Sequence, residues 1–333
     1  MNEFKKYNSI ENSYRSEFIE RLINEDFDKQ EFVVQEKVHG ANLSFWCDGD
    51  SIRCAKRTGF IEEGEGFYEF SSVLNKYHDP IYKLFDFVTD KYKDTSFITI
   101  YGELFGGAYP HSEVTKDRDA IVIQKGVYYS PSNDYYAFDI MLDNKKYLSV
   151  DEANNFFENS GFFYAKTLYK GDLKSSLDFL NSFESCISKW LGLPAIENNI
   201  CEGTIIKPAI PAFLKNGSRV IIKNKNSKWE ENKKKKKMIK TPDNYSELLK
   251  ALLDATKEYI NVNRLNNTIS KVGPVDTNNF GKVVGLFNKD ILEDFVKDYS
   301  DEFERLEKNE QKMIRKSVNT NASKLINQYL KDN

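Results

Sequence analysis

The feature that most constrains this chain is a change of hydrophobic period near residue 240. Before it, the apolar residues fall in short β-type runs. Phe32-Val33-Val34 leads into Glu36-Lys37, and Asn42 to Cys47 and Ser51 to Ala55 flank Asp48-Gly49-Asp50, a hairpin signal. Phe97 to Tyr101, Tyr135 to Met141, Gly203 to Lys207 and Arg219 to Lys225 read as further strands. Helical patterns intervene over Glu11 to Asn24 and Ser175 to Trp190. Strands and helices mixed without strict alternation predict an α+β domain of antiparallel sheets with flanking helices. Beyond Asn244, the spacing of Leu248, Leu249, Leu252, Leu253 and Ile260 turns helical, and Val283 to Phe295 and Glu304 to Leu330 continue it. Thr241-Pro242 suits a helix start. The sequence therefore divides into residues 1–240 and a small all-helical domain, 241–333.

A length of 333 residues accommodates one large core and a second, smaller one. No apolar run approaches the ~20 residues that span a bilayer. The start, Met1-Asn2-Glu3-Phe4-Lys5-Lys6, has no apolar core behind it, so we expect no membrane association and a cytoplasmic location. Four cysteines without a C-x-x-C pair, beside only three histidines, argue for reduced thiols rather than structural zinc. The net charge of −3 neither demands nor excludes nucleic acid. Its distribution is more informative, because Lys233 to Lys237 is an unbroken basic run.

The chemistry-bearing segments lie in the first part. Glu36-Lys37-Val38-His39-Gly40-Ala41-Asn42 sets a lysine at a strand end before a turn glycine. A protonated lysine is a poor nucleophile, and nearby cations raise its neutral fraction. Alone, the segment serves equally as a surface lysine beside a turn. Lys56-Arg57-Thr58-Gly59 is a basic turn after the hairpin. Tyr101-Gly102-Glu103-Leu104-Phe105-Gly106 places a carboxylate at a strand end beside glycines, where it could accept from sugar hydroxyls or act as an ordinary turn acid. In Tyr135-Tyr136-Ala137-Phe138-Asp139-Ile140, Phe138 is either core or a ring that stacks on a purine. Glu202-Gly203-Thr204-Ile205-Ile206-Lys207-Pro208 offers Glu202, a hard ligand for Mg²⁺. Lys223 and Lys225 share one strand face. Such a pair is unfavourable without an anion between it, so it marks either a phosphate site or a solvated edge.

The order K-x-H-G-x-N, K-R-T-G, Y-G-E-L, F-D-I, E-G-x-x-x-K-P and K-x-K-N-S-K resembles motifs I to V of the covalent nucleotidyltransferases, the ligases and capping enzymes. With His39 where DNA ligases and capping enzymes usually carry Asp, the sequence is most similar to the phage-type, double-strand-specific RNA ligase 2 family. The tail adds Val262-Asn263-Arg264-Leu265-Asn266-Asn267 and Phe280-Gly281-Lys282-Val283-Val284-Gly285-Leu286. The resemblance implies an ATP-grasp-like ligase domain in which Lys37 takes AMP from ATP and passes it to an RNA 5′-phosphate. It implies that His39 serves that transfer and that Asn42 and Arg57 contact phosphate or the hydrated metal. Glu36 would belong to the nucleotide site, Glu103 would bind ribose and Phe138 adenine. Glu202 would hold Mg²⁺, with Mn²⁺ able to substitute, and Lys223 and Lys225 would grip the α-phosphate. The expected partner is RNA with 3′-OH and 5′-phosphate ends, as a nick in a duplex, joined by a monomer in phage RNA repair.

DNA ligases and capping enzymes normally follow this domain with an OB-fold barrel. The helical period after Lys240 opposes that. A non-catalytic RNA-binding protein would suit the lysine run, but it would have no need to keep Lys37, Glu103, Glu202, Lys223 and Lys225 together. No G-x-x-x-x-G-K-[ST] loop occurs, which disfavours a P-loop enzyme.

Overall fold

A computed structural model of the chain describes residues 3–229, 245–276 and 279–332. Its contacts separate two compact units, Met1–Lys228 and Trp229–Asn333. The boundary expected at 240/241, Thr241-Pro242 and the run Lys233 to Lys237 lie outside the described residues.

The strands of the first unit are β1 (Glu11–Asn12), β2 (Phe32–Glu36), β3 (Ala41–Cys47), β4 (Ile52–Lys56), β5 (Gly59–Phe60), β6 (Ile98–Ala108), β7 (Ser130–Leu142), β8 (Lys146–Tyr147), β9 (Thr167–Gly171), β10 (Gly203–Pro208) and β11 (Ile222–Lys225). Its helices are α1 (Ser16–Asn24), α2 (Phe70–Lys91), α3 (Val150–Ser160), α4 (Leu173–Leu177) and α5 (Ile187–Trp190). One sheet has the order β1-β11-β10-β2-β9 and the other β5-β4-β3-β6-β7-β8. Pairing is antiparallel except for β1 with β11.

Alternation along the strands decides what each sheet covers. In β3, Ala41, Leu43, Phe45 and Cys47 point into a core with Tyr77, Ile81 and Leu84 of α2 and Phe157 of α3. Asn42, between them, points to the other face. In β2, Phe32 and Val34 join Phe18 and Leu22 of α1. Between the sheets, Tyr101, Met141 and Ile221 form a third cluster with Tyr7, flanked by Phe138 and Ile205. The candidate site occupies this inter-sheet face.

The structure corrects several element boundaries. The sequence Y-G-E-L-F-G lies within β6 rather than at a strand end, so Glu103 is a mid-strand residue paired with Asn42 and Tyr136. Glu11–Asn12 is a strand, and its helix starts only at Ser16. Ser175 to Trp190 is not one helix. It holds the end of α4 and all of α5, with irregular chain between. Strand β11 begins at Ile222, three residues later than expected from the apolar run. Helix α2 was not anticipated, although Val73, Tyr77, Ile81, Leu84 and Val88 mark its buried face at helical spacing.

The described part of the second unit is helical: α6 (Tyr245–Tyr259), α7 (Val262–Val272), α8 (Phe280–Asp298), α9 (Ser300–Glu304) and α10 (Lys308–Asp332). Leu252, Leu265, Phe287, Ile291, Phe295, Ile314 and Val318 supply its own apolar core. No helix among the described residues is long and apolar enough to cross a membrane.

Candidate active site

Lys37 follows β2 directly, and the loop 37–40 carries the chain from one sheet to the other. The Lys37 backbone N–H donates to Gly203 O at 2.9 Å. This places Lys37 beside Glu202, just ahead of β10. The Lys37 ammonium lies 2.7 Å from Glu202 Oε2, Lys225 Nζ lies 2.9 Å from Oε1, and His39 Nδ1 is 3.4 Å from Oε2. Glu202 is fully buried. Burial pushes its carboxyl up, but Lys225 and Lys37 outweigh that and hold it well below the usual range. It is thus an anion that orients cations, and a weak proton acceptor. Burial pulls His39 down despite Glu202, which favours the neutral imidazole.

Glu103 projects from β6 into the same space. Burial raises its carboxyl to about 7, against the opposing influence of Lys37 and Arg57 and a hydrogen bond from Asn42. Asn42 also donates to Gly102 O at 3.2 Å, and Arg57 Nη2 donates to Asn8 O at 3.3 Å beside the Tyr7 ring. Lys223 pairs with Ile205 in register and shares the inter-sheet face with Ile221 and Lys225.

Phe138 reaches this face through a bulge. Tyr101 pairs with Asp139 and Gly102 with Ala137, so Phe138 is the extra residue of β7. It is half-buried, edge-on to Tyr7 with centroids 5.2 Å apart. The packing and ring-stacking readings of Phe138 are therefore compatible: one edge packs and part of the ring stays accessible. The Glu36 side chain lies elsewhere. Strand alternation turns it to the α1 face, where its carboxylate accepts from Ser185 Oγ at 2.6 Å and Cys186 N–H at 2.8 Å. Burial raises it to about 7, against these two hydrogen bonds.

Sequence reasoning missed a second charged cluster under the site. Asp139 binds Lys207 Nζ at 3.0 Å and Arg219 through both nitrogens at 2.8 and 3.1 Å, and accepts a hydrogen bond from Tyr7. Both Asp139 and Lys207 stand inside the quoted motifs, F-D-I and E-G-x-x-x-K-P. Their partnership needs the two sheets to face each other, which no local spacing reveals. In the helical unit, Arg264 is fully buried and binds Asp290 and Asp294 at 2.7 and 2.8 Å.

A model of the RNA ligase family matches residues 30–225, more than half of the chain. The chain belongs to the RNA ligase family. Residues 242–324 of this ligase match a second model, described as T4 RNA ligase 2 C-terminal. The ligase is 27% identical to RNA-editing ligase 2, mitochondrial, of Trypanosoma brucei brucei, over 89% of this chain and 83% of that one. It is 26% identical to RNA-editing ligase 1 of the same organism, over 81% and 71%. A solved RNA ligase of Naegleria gruberi with ATP and Mn aligns at TM-score 0.44 and 14% identity, over 69% of this chain. This chain spans 59% of that structure's length.

Proposed function

We propose that the protein seals RNA 3′-OH/5′-phosphate breaks using ATP, through AMP held covalently on Lys37. The observation that carries this reading is Glu202 joining Lys37, Lys225 and His39 at the inter-sheet face of an RNA ligase domain. Lys37 Nζ, once it has given up a proton to solvent, forms a bond to the α-phosphorus as the bond to pyrophosphate breaks, and the pyrophosphate departs with the electron pair. For this the amine must exchange Glu202 for the phosphate. Lys225, on the same carboxylate, stays within reach of the charge that develops. Lys223 and Arg57 approach from the same face. Preorganised cations of this kind stabilise transferring phosphoryl groups.

Glu202 is the residue that would hold a divalent cation, Mg²⁺ or Mn²⁺. Its hard, ionised oxygens fit that role, and the cation would neutralise phosphate charge. Glu103 would accept from ribose hydroxyls and Phe138 would lie against adenine. Asn42 stands next to Glu103 and would orient it or a phosphate. His39 would serve the second step, passing AMP from Lys37 to the RNA 5′-phosphate. Glu36 would support the site through its backbone and its hold on Ser185 and Cys186. We assign nucleotide chemistry to residues 1–240 and RNA engagement to 241–333. The substrate would be a nick in duplex RNA, and the enzyme a cytoplasmic monomer serving phage RNA repair. The match of residues 242–324 to the T4 RNA ligase 2 C-terminal model supports treating the second part as a ligase module of its own.

Incubation with ATP and Mg²⁺ should add one acid-labile adenylyl mass to the intact protein, with GTP ineffective and Lys37→Ala unlabelled. Absence of the adduct across the neutral and alkaline range would refute the reading.

A further inference from the structure

The loop 37–40 is fastened at both ends. Lys37 N–H is bound to Gly203 O, and Gly40 is pressed so closely on β6 that a Cβ would lie 2.3 Å from Leu104 O. Between these ends, the His39 backbone N–H donates to Tyr129 Oη at 2.9 Å. Tyr129 belongs to neither β2 nor β3. It ends the segment that joins β6 to β7, and only 2% of it is exposed.

Tyr129 is itself held by an unusual clamp on its neighbour. One side chain, Asn199, binds both backbone groups of Tyr128, accepting from N–H at 2.8 Å and donating to the carbonyl at 2.6 Å. Asn199 O accepts from Ser185 N–H at 2.9 Å, and Ser185 Oγ donates to Glu36. The path thus leaves β2 at Glu36, immediately before Lys37, and returns to the chain at His39 of the loop that follows. Its members come from the segments before β7 and before β10, which are far apart in sequence.

We propose that Tyr129, fixed through Asn199, is a positioning residue for His39 and thereby for transfer of AMP to the RNA 5′-phosphate. The inference rests on the role proposed above for His39. A phenol suits this task because its ring is rigid and its oxygen is a single buried acceptor. With the backbone held by Tyr129 and Nδ1 near Glu202, the imidazole is placed from both sides. Lys37 is anchored independently at Gly203, so the adenylylation step does not share this dependence.

The test separates three rates under single turnover. These are self-adenylylation with ATP, transfer from preformed Lys37-AMP to a nicked RNA duplex with a 5′-phosphate, and joining of the same duplex already adenylated. In Tyr129→Phe a buried N–H loses its acceptor, so transfer should slow by about ten- to a hundredfold. The other two rates should stay within about threefold of the wild type. Equal slowing of all three, which loose packing would produce, or unaltered transfer would overturn the proposal. Asn199→Ala keeps the hydroxyl but frees its support. It should show the same selectivity with a smaller loss, and it decides the question if Tyr129→Phe fails to fold. His39→Ala, measured in parallel, distinguishes the two readings. If His39→Ala slows transfer selectively and Tyr129→Phe does not, only the positioning role falls. If His39→Ala slows all three rates alike, the role of His39 itself is wrong.

Discussion

Asp139 and Glu202 are both buried carboxylates, and each is set against two cations. Asp139 has Lys207 and Arg219, and Glu202 has Lys37 and Lys225. Burial pushes both carboxyls up, and in both the cations win. Asp139 is held at about 2 by Arg219 and Lys207, and Glu202 lies well below its usual range. The difference is in the cations. The side chains of Lys207 and Arg219 are each 2% exposed, and Arg219 also lies over the Tyr147 ring at 3.9 Å. The Lys37 side chain is 18% exposed. A cation that cannot reach water makes the pair a fixed tie between sheets. A cation that can leave suits the same pair to the reaction proposed for Lys37, in which the amine exchanges its carboxylate for a phosphate.

The strongest way to break this comparison is to remove each acid in turn. Asp139→Ala leaves Lys207 and Arg219 as uncompensated buried charges, which costs about 3–5 kcal/mol when one partner of such a cluster is deleted. Urea unfolding of the first unit should show this loss. A loss under about 1 kcal/mol would mean that water reaches the cluster and that the two centres do not differ in the way argued.

Glu202→Ala should behave in the opposite sense. Lys37 can turn to solvent and only Lys225, with its side chain 6% exposed, stays behind as a buried cation, so stability should fall by less than in Asp139→Ala. The adenylylation rate should drop by about a hundred- to a thousandfold, the usual effect of removing one preorganised group at a phosphoryl or acyl centre. Rapid-quench labelling with ATP measures the rate, and urea unfolding measures the fold. If both acids cost equal stability, exposure of Lys37 is not what separates them.

The comparison also shows what the sequence could convey. Lys37, His39 and Glu202 were legible as candidates only through the order of six motifs that resembles the nucleotidyltransferases, since each short segment alone left its role open. Lys225 was legible because a two-residue spacing places it on one face of β11 with Lys223. The tie through Asp139 was not legible, since residues 139, 207 and 219 meet only when two sheets pack face to face. The bulge at Phe138 was hidden for a similar reason: it is a register slip between β6 and β7, defined by the partner strand. Glu36 was expected at the nucleotide, but alternation turns its carboxylate to the opposite face from Lys37. The long helical reading of Ser175 to Trp190 failed because Ser185 gives its N–H to Asn199 O and its hydroxyl to Glu36, and that backbone bond lies outside any helical ladder.

A third acid, Glu103, sharpens the contrast at smaller cost. Among the described residues it makes no ion pair, and burial raises its carboxyl from 4.5 to about 7. Its folded pKa therefore lies above its unfolded one. Its favourable contribution is complete below pH 4.5 and is lost as pH rises through 7. Asp139 has the reverse sign: its contribution is present above its ordinary 3.8 and lost as pH falls through about 2. Between pH 4.5 and 7.5, wild-type Tm should therefore decline relative to Glu103→Gln, which cannot ionise, while wild type and Asp139→Asn should keep a constant gap. Parallel Tm curves for wild type and Glu103→Gln would mean that a cation, or water, already compensates Glu103. The three acids would then differ only in degree, and the absence of a paired cation would lose its place as the property that distinguishes the proposed sugar-binding carboxylate from the two that hold lysines.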